Sequence, residues 1–231
     1  MTTAQPPETE EPDSEEPGAE EPGTDEPGTV RPGGRTARVR AAVLRAAGDA
    51  LAEHGFAQLD LADIARRAGV GKTTVYRRWG TVTGLLADLL ADMARTSPRT
   101  ETGSLLGDLE ANARLVRRTL ADPRQGRLFR AVIAAATCDE RTAAALHRFY
   151  ESRIAEWEPC ARQAVERGEL PQGTDTHEVI RAVSAPLYYR LLATGAPLDE
   201  ESAHRAAQAA YAAACAGAYV REHTGVYEAQ G

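Results

Sequence analysis

The chain is poor in aromatic residues, with Phe, Trp and Tyr together at 5%, and Lys72 is the single lysine among 27 basic residues. Its three cysteines, Cys138, Cys160 and Cys215, lie far apart with no C-x-x-C pair. That excludes a disulfide framework and leaves no zinc-ligand spacing. No apolar run approaches the roughly 18 residues that cross a bilayer, so an integral membrane protein is excluded. The opening MTTAQPPETEEPD lacks the basic stretch and apolar segment of a secretory signal, and the expected location is the cytoplasm. Catalytic signatures are missing as well. The five histidines (His54, His147, His177, His204, His223) form no H-x-x-x-H or H-E-x-x-H pair, and no G-x-S-x-G elbow occurs. Gly71-Lys72-Thr73 mimics the end of a nucleotide-binding loop, but the required glycine five residues earlier is Arg66. The preceding LADIARRA also has helical rather than strand period. The expectation is a protein that is not an enzyme and uses no cofactor or metal.

What the sequence does contain is abundant alanine and an uneven charge. Residues 1–34 hold ten acidic residues against Arg31 alone, a net −9, with Pro12, Pro17, Pro22, Pro27 and Pro32 recurring every fifth position. Proline at that spacing forbids a helix, and so little apolar surface cannot offset the entropy of ordering. This segment is expected to be a disordered acidic arm. Residues 35–95 carry ten basic residues against six acidic ones, a net +4, and residues 96–231 are close to balance. A basic block behind an acidic arm points to a polyanion partner. The arm's charge also suggests an intramolecular competitor for that partner.

The basic block reads as helices. Val39, Val43, Ala46, Ala47, Ala50 and Leu51 recur at three- and four-residue steps, marking a first helix over about 36–54 that stops at Gly55. Asp60 is a suitable N-cap for a short second helix with Leu61, Ile64, Ala65 and Ala68 on its buried face. Gly69-Val70-Gly71 then makes a tight turn into KTTVYRRW, where Val75 and Trp79 point inwards and Lys72, Thr73, Thr74, Arg77 and Arg78 outwards. Two short helices joined by such a turn constitute a helix-turn-helix. Threonine and lysine suit base edges and phosphate oxygens, and the arginines supply charge.

The stretch FAQLDLADIARRAGVGKTTVYRRWGTVTGLLADLL closely resembles the DNA-binding region of the TetR/AcrR family of transcriptional regulators. The resemblance rests on Gly55-Phe56, Asp63-Ile64-Ala65, Ala68-Gly69-Val70, Tyr76, Trp79 and Leu85-Leu86, about a quarter of the chain. It implies base reading by Thr73 and Thr74, phosphate contact by Tyr76, and a Lys72 on the first turn of the recognition helix, with Arg77 beside them. Gly71 stands where the family has a serine cap, and Val82 where it has a phosphate-binding lysine. Arg35, Arg38 and Arg40 are therefore expected to supply phosphate contacts.

Beyond residue 80 the helical periods continue. Leu85, Leu86, Leu89, Leu90 and Met93 form one stripe, and further helices are expected over about 104–121, 125–137, 139–167, 176–193 and 200–223. Pro186 should kink the fourth of these. No β-rich segment appears, so the expected fold is all-α, with a helix-turn-helix head at 35–80 and a helical body at 81–231. The resemblance implies that the body binds a small molecule and that its last two helices form a homodimer interface. The abundant alanines of the final helix suit that role, because small side chains permit close approach. Candidate cavity residues are Leu115, Phe129, Ile133, His147, Phe149, Ile154, Trp157, Tyr188 and Leu192. The function so implied is a dimeric, sequence-specific regulator of a double-stranded DNA operator, a repressor released by its ligand. The alternatives are an activator of the same fold and an architectural protein that binds DNA without sequence preference.

Overall fold

The computed structural model of the chain describes residues 34–95 and 99–221. The acidic arm falls outside the described residues except for Gly34, and so does the end of the last expected helix, residues 222–223. Among the described residues the fold is all-helical: α1 (Gly34–His54), α2 (Leu61–Arg67), α3 (Lys72–Trp79), α4 (Val82–Arg95), α5 (Leu105–Ala121), α6 (Pro123–Ala136), α7 (Glu140–Glu166), α8 (Thr176–Tyr189) and α9 (Glu200–Cys215). One antiparallel bridge, Thr174 to Val220, ties the approach to α8 to the segment after α9.

Local chemistry sets the ends of these helices. Asp60 accepts the Asp63 amide at 3.1 Å and caps α2. Ser104, Asp139, Asp175 and Asp199 cap α5, α7, α8 and α9 in the same way. Asp122 serves two helices: its amide donates to the Arg118 carbonyl at the end of α5, while its carboxylate caps α6, whose first residue is Pro123. Gly69 turns the chain between α2 and α3 at φ 65°, a conformation that L side chains rarely adopt.

One hydrophobic core runs from Val43 on α1 to Ala214 on α9. Leu85, Leu86, Leu89 and Leu90 of α4 are buried between the head and α7. Each contributes on the order of 2 kcal/mol by leaving water, enough together to fix the rotation of α4. α1 packs on α6 as well as on α2 and α4, and Gly48 sits against Leu128 and Leu89.

Two prolines lie inside helices. α8 runs through Pro186 to Tyr189, and its irregularity comes a residue later, as a π-helical turn at Arg190–Thr194 closed by Gly195 at φ 63°. α7 continues through Pro159 although that residue cannot donate to the preceding turn; packing against α4, α6 and α8 holds the helix together. The alanines of α9 divide their work: Ala203, Ala206, Ala207, Ala210 and Ala214 are buried against α5 and α8. Ala209 and Ala212, and beyond the end of the helix Ala216 and Ala218, remain exposed.

Candidate nucleic-acid interface and cavity of the body

In the head, Val75 is fully buried beneath α3, and Val70 tucks into the turn with its amide on the Ala65 carbonyl at 2.9 Å. These contacts fix which side of α3 faces out. Lys72, Thr73, Tyr76, Arg77 and Arg78 are exposed, Tyr76 to 47%, while Thr74 is half-buried. Thr73, Tyr76 and Arg77 share one face of the helix at 3.6 residues per turn. The Arg78 guanidinium lies 5.2 Å from the Trp79 ring centre. As expected from the glycine at position 71, α3 starts without a side-chain cap, which leaves its first amides free to meet an anion.

Trp79 does more than fill the core. Its indole N–H donates to Asp88 Oδ2 at 3.0 Å. The same carboxylate receives Arg40 through Nε at 3.0 Å and Nη2 at 2.7 Å, and Arg40 Nη1 reaches Asp92 at 2.6 Å. Burial alone would raise the Asp88 carboxyl, but these hydrogen bonds hold it below its ordinary value. Arg40 is raised above the usual guanidinium range, led by its hydrogen bond to Asp88. Where the sequence suggests a phosphate contact, two carboxylates of α4 hold the Arg40 guanidinium and lock α1 to that helix. Arg35 and Arg38 are exposed on the first turns of α1, with Arg38 Nε donating to the Gly34 carbonyl at 3.2 Å. Arg67 joins the head internally, donating to Asp63 and Glu53, each at 2.7 Å. Asp88 escapes a sequence reading because it sits within an apolar stripe nine residues from its indole partner, a spacing that no helix repeat marks.

In the body, a cavity of about 480 Å³ lies among α4, α5, α6, α7 and α8. Of the expected residues, Leu115, Phe129, His147, Phe149, Ile154, Trp157 and Tyr188 line it. Two do not. Ile133 lies one turn beyond Phe129 on α6 and packs against the general core. Leu192 is 46% exposed, because the π turn directs Leu191 inwards against Gly126 and leaves its neighbour outside. Phe129, Phe149, Tyr150 and Tyr188 close on one another as a ring of tilted and edge-on pairs, with centroids 5.3 to 6.0 Å apart. Burial pushes the Tyr150 phenol up and the Tyr188 phenol well up, so both are neutral at neutral pH.

The wall also holds polar residues that the sequence reading did not name: Asn112, Thr119, Gln125, Glu151, Arg153, Arg181 and Ser184. A signal existed for some of them. Asn112, Leu115, Val116 and Thr119 follow steps of three and four on α5, an apolar stripe with a polar residue at each end. Met93 brings α4 into the wall, and Arg153 Nη1 donates to the Ala94 carbonyl of α4 at 3.1 Å. Among the described residues no group of three or more His, Cys, Asp or Glu could hold a metal, and no helix is long and apolar enough to cross a membrane.

Comparison with known proteins agrees with this geometry. Residues 43–89 match the domain described as bacterial regulatory proteins, tetR family, and residues 99–210 match the tetracyclin repressor-like C-terminal domain. The HTH-type transcriptional regulator YdeS of Bacillus subtilis is 31% identical over 156 residues, 67% of this chain and 78% of that protein. The HTH-type transcriptional regulator AqdR of Rhodococcus erythropolis is 28% identical over 157 residues, 68% of this chain and 75% of that protein. The crystal structure of TetR family transcription regulator SCO0332 superposes with a TM-score of 0.61 at 29% identity, covering 76% of this chain and 97% of that one. An N-terminal helix-turn-helix on a helical body, matched in both parts by sequence and by structure, leads to one conclusion: the chain belongs to the TetR family of transcriptional regulators.

Proposed function

We propose that this protein is a cytoplasmic homodimeric repressor that holds a double-stranded DNA operator through its two heads and lets go when a small molecule fills the body cavity. The observation that carries this reading is the run of contacts along α4. At its C-terminal end Met93 lines the cavity and the Ala94 carbonyl accepts Arg153, itself a cavity residue. One to two turns earlier, Asp88 holds Trp79, the last residue of the exposed helix α3. A ligand that displaces Arg153 or Met93 would therefore act on the helix that seats α3, coupling the two binding free energies. Lys72, Thr73, Thr74, Tyr76 and Arg77 form the groove-facing set, with Arg35 and Arg38 as phosphate contacts.

Dimerisation would use the faces of α8 and α9 that the protomer leaves uncovered. Tyr189 is 64% exposed and Leu192 is 46% exposed, beside Pro186 on α8 and Ala209 and Ala212 on α9. Two linked heads would read two half-sites one helical turn or a multiple apart. Genome-wide mapping of bound DNA, followed by titration of the recovered fragment, tests the reading. A specificity ratio near unity with a steep salt slope would identify an architectural binder instead. Sedimentation of the Tyr189→Glu variant tests the interface, which predicts a monomer.

A further inference from the structure

We infer that the cavity takes an uncharged, planar aromatic molecule carrying a hydroxyl-type hydrogen-bonding group, and that this group is read by Gln125. The inference rests on the reading of the cavity as the effector site.

Three features support it. The first is shape and surface. Phe129, Phe149, Tyr150 and Tyr188 form a closed ring of edge-on and tilted contacts along the wall. Such rings offer faces and edges to a further ring in the offset or T-shaped geometry that aromatic pairs prefer. A flexible alkyl chain would gain burial but none of that geometry, and it would lose rotamer freedom on entering.

The second is charge. The arginines and the glutamate on the wall already have opposite partners: Arg153 is paired with Glu156, and Arg181 with both Glu151 and Glu178. A charged ligand would give up its water and meet arginines and a glutamate already committed to opposite charges, which is unfavourable in an apolar site. The two phenols add no negative charge, because burial keeps both protonated.

The third is an unmatched polar atom. The backbone amide of Gln125 is used by the α6 cap, on Asp122 Oδ1 at 2.8 Å. Its side chain, by contrast, lines the cavity, and the buried Oε1 has no hydrogen-bond partner among the described residues. Buried polar groups are almost always paired, so this amide is poised for a partner that the protein does not itself supply. A hydroxyl both donates and accepts, and it therefore satisfies either end of an amide.

The test is calorimetric titration of the full chain at neutral pH with β-naphthol, naphthalene, β-naphthoate, naphthylmethylammonium and decanol. The expected result is that β-naphthol binds roughly 3- to 10-fold more tightly than naphthalene, the increment of one neutral hydrogen bond. Both ions and decanol are expected to bind more weakly than β-naphthol. In Gln125→Leu the preference of β-naphthol over naphthalene should vanish, and in Gln125→Met likewise. The ratio is taken within one protein sample, so a partly folded variant still reports it. Tighter binding of either ion or of decanol, a preference that survives both substitutions, or no binding by any probe would overturn the inference. Retention on operator DNA is measured alongside. If β-naphthol binds in the expected pattern without releasing DNA, the ligand class stands and the release reading fails. If β-naphthoate alone releases DNA, the release reading stands and the ligand class fails.

Discussion

The Trp79 indole N–H and the Asp88 carboxylate, 3.0 Å apart, join the last residue of the exposed helix of the head to the helix that enters the body. Because Asp88 also receives Arg40 from α1, one carboxylate fixes the mutual position of three helices.

Replacing that carboxylate should loosen the head. Asp88→Asn is expected to lower its stability by about 1–3 kcal/mol, since Arg40 loses a charged acceptor and Trp79 an ideal one. The change is read by thermal unfolding and by Trp79 emission in a Trp157→Phe background. Acid should imitate the substitution. The Asp88 carboxyl is held low in the folded protein, so its contribution is complete above the ordinary aspartate range and is lost as pH falls through the folded value. The acid transition of Trp79 emission should be present in the parent and absent in Asp88→Asn. Asp199, held low by the Ser202 amide, titrates in both proteins and does not report on the head.

Two basic residues of the head should behave differently. Lys72→Ala is expected to weaken DNA binding and to reduce the salt dependence of log K by about one phosphate contact. Tyr76→Ala should weaken binding without unfolding the body. Arg40→Ala should instead lower the melting temperature, with little change in the salt slope, because its charge is spent on Asp88 and Asp92. Unchanged operator affinity in both Lys72→Ala and Tyr76→Ala would contradict the assignment of α3.

Gly126 lies where α6 crosses the end of α5. A Cβ there would come within 2.5 Å of the Leu120 carbonyl oxygen, a backbone atom that cannot swing aside. Gly126→Ala should cost about 1–3 kcal/mol through forced displacement. Chemical denaturation measures this, and a neutral result would mean that α5 and α6 slide freely.

Residues 2–30 carry ten acidic residues and no basic one. If they compete with DNA for the head, deleting them should raise DNA affinity at low salt, and the gain should fade as salt screens the arm. Equal affinities of the two proteins at low salt would remove that role.

Much of the head was readable residue by residue. Asp60, the Gly69-Val70-Gly71 turn and the Val75–Trp79 pair each act within a few positions along the chain, so their local chemistry is sufficient. The cavity was read less completely. Its aromatic residues stand out by type, but Leu192 looks identical to Leu191 until the π turn separates them. Gln125 resembles any polar residue in a first helical turn. Arg40 could not be told from Arg35 and Arg38, because the carboxylates that claim it lie 48 and 52 residues away.

Periodicity, capping residues and glycine turns are properties of neighbours in the chain, and they were enough to define helices, their faces and the helix-turn-helix. Which arginine is spent on an ion pair, which amide is left without a partner, and which alanines of α9 are buried depend on helices meeting across long separations. Those choices arise only when the core closes and the desolvated charges must find their partners.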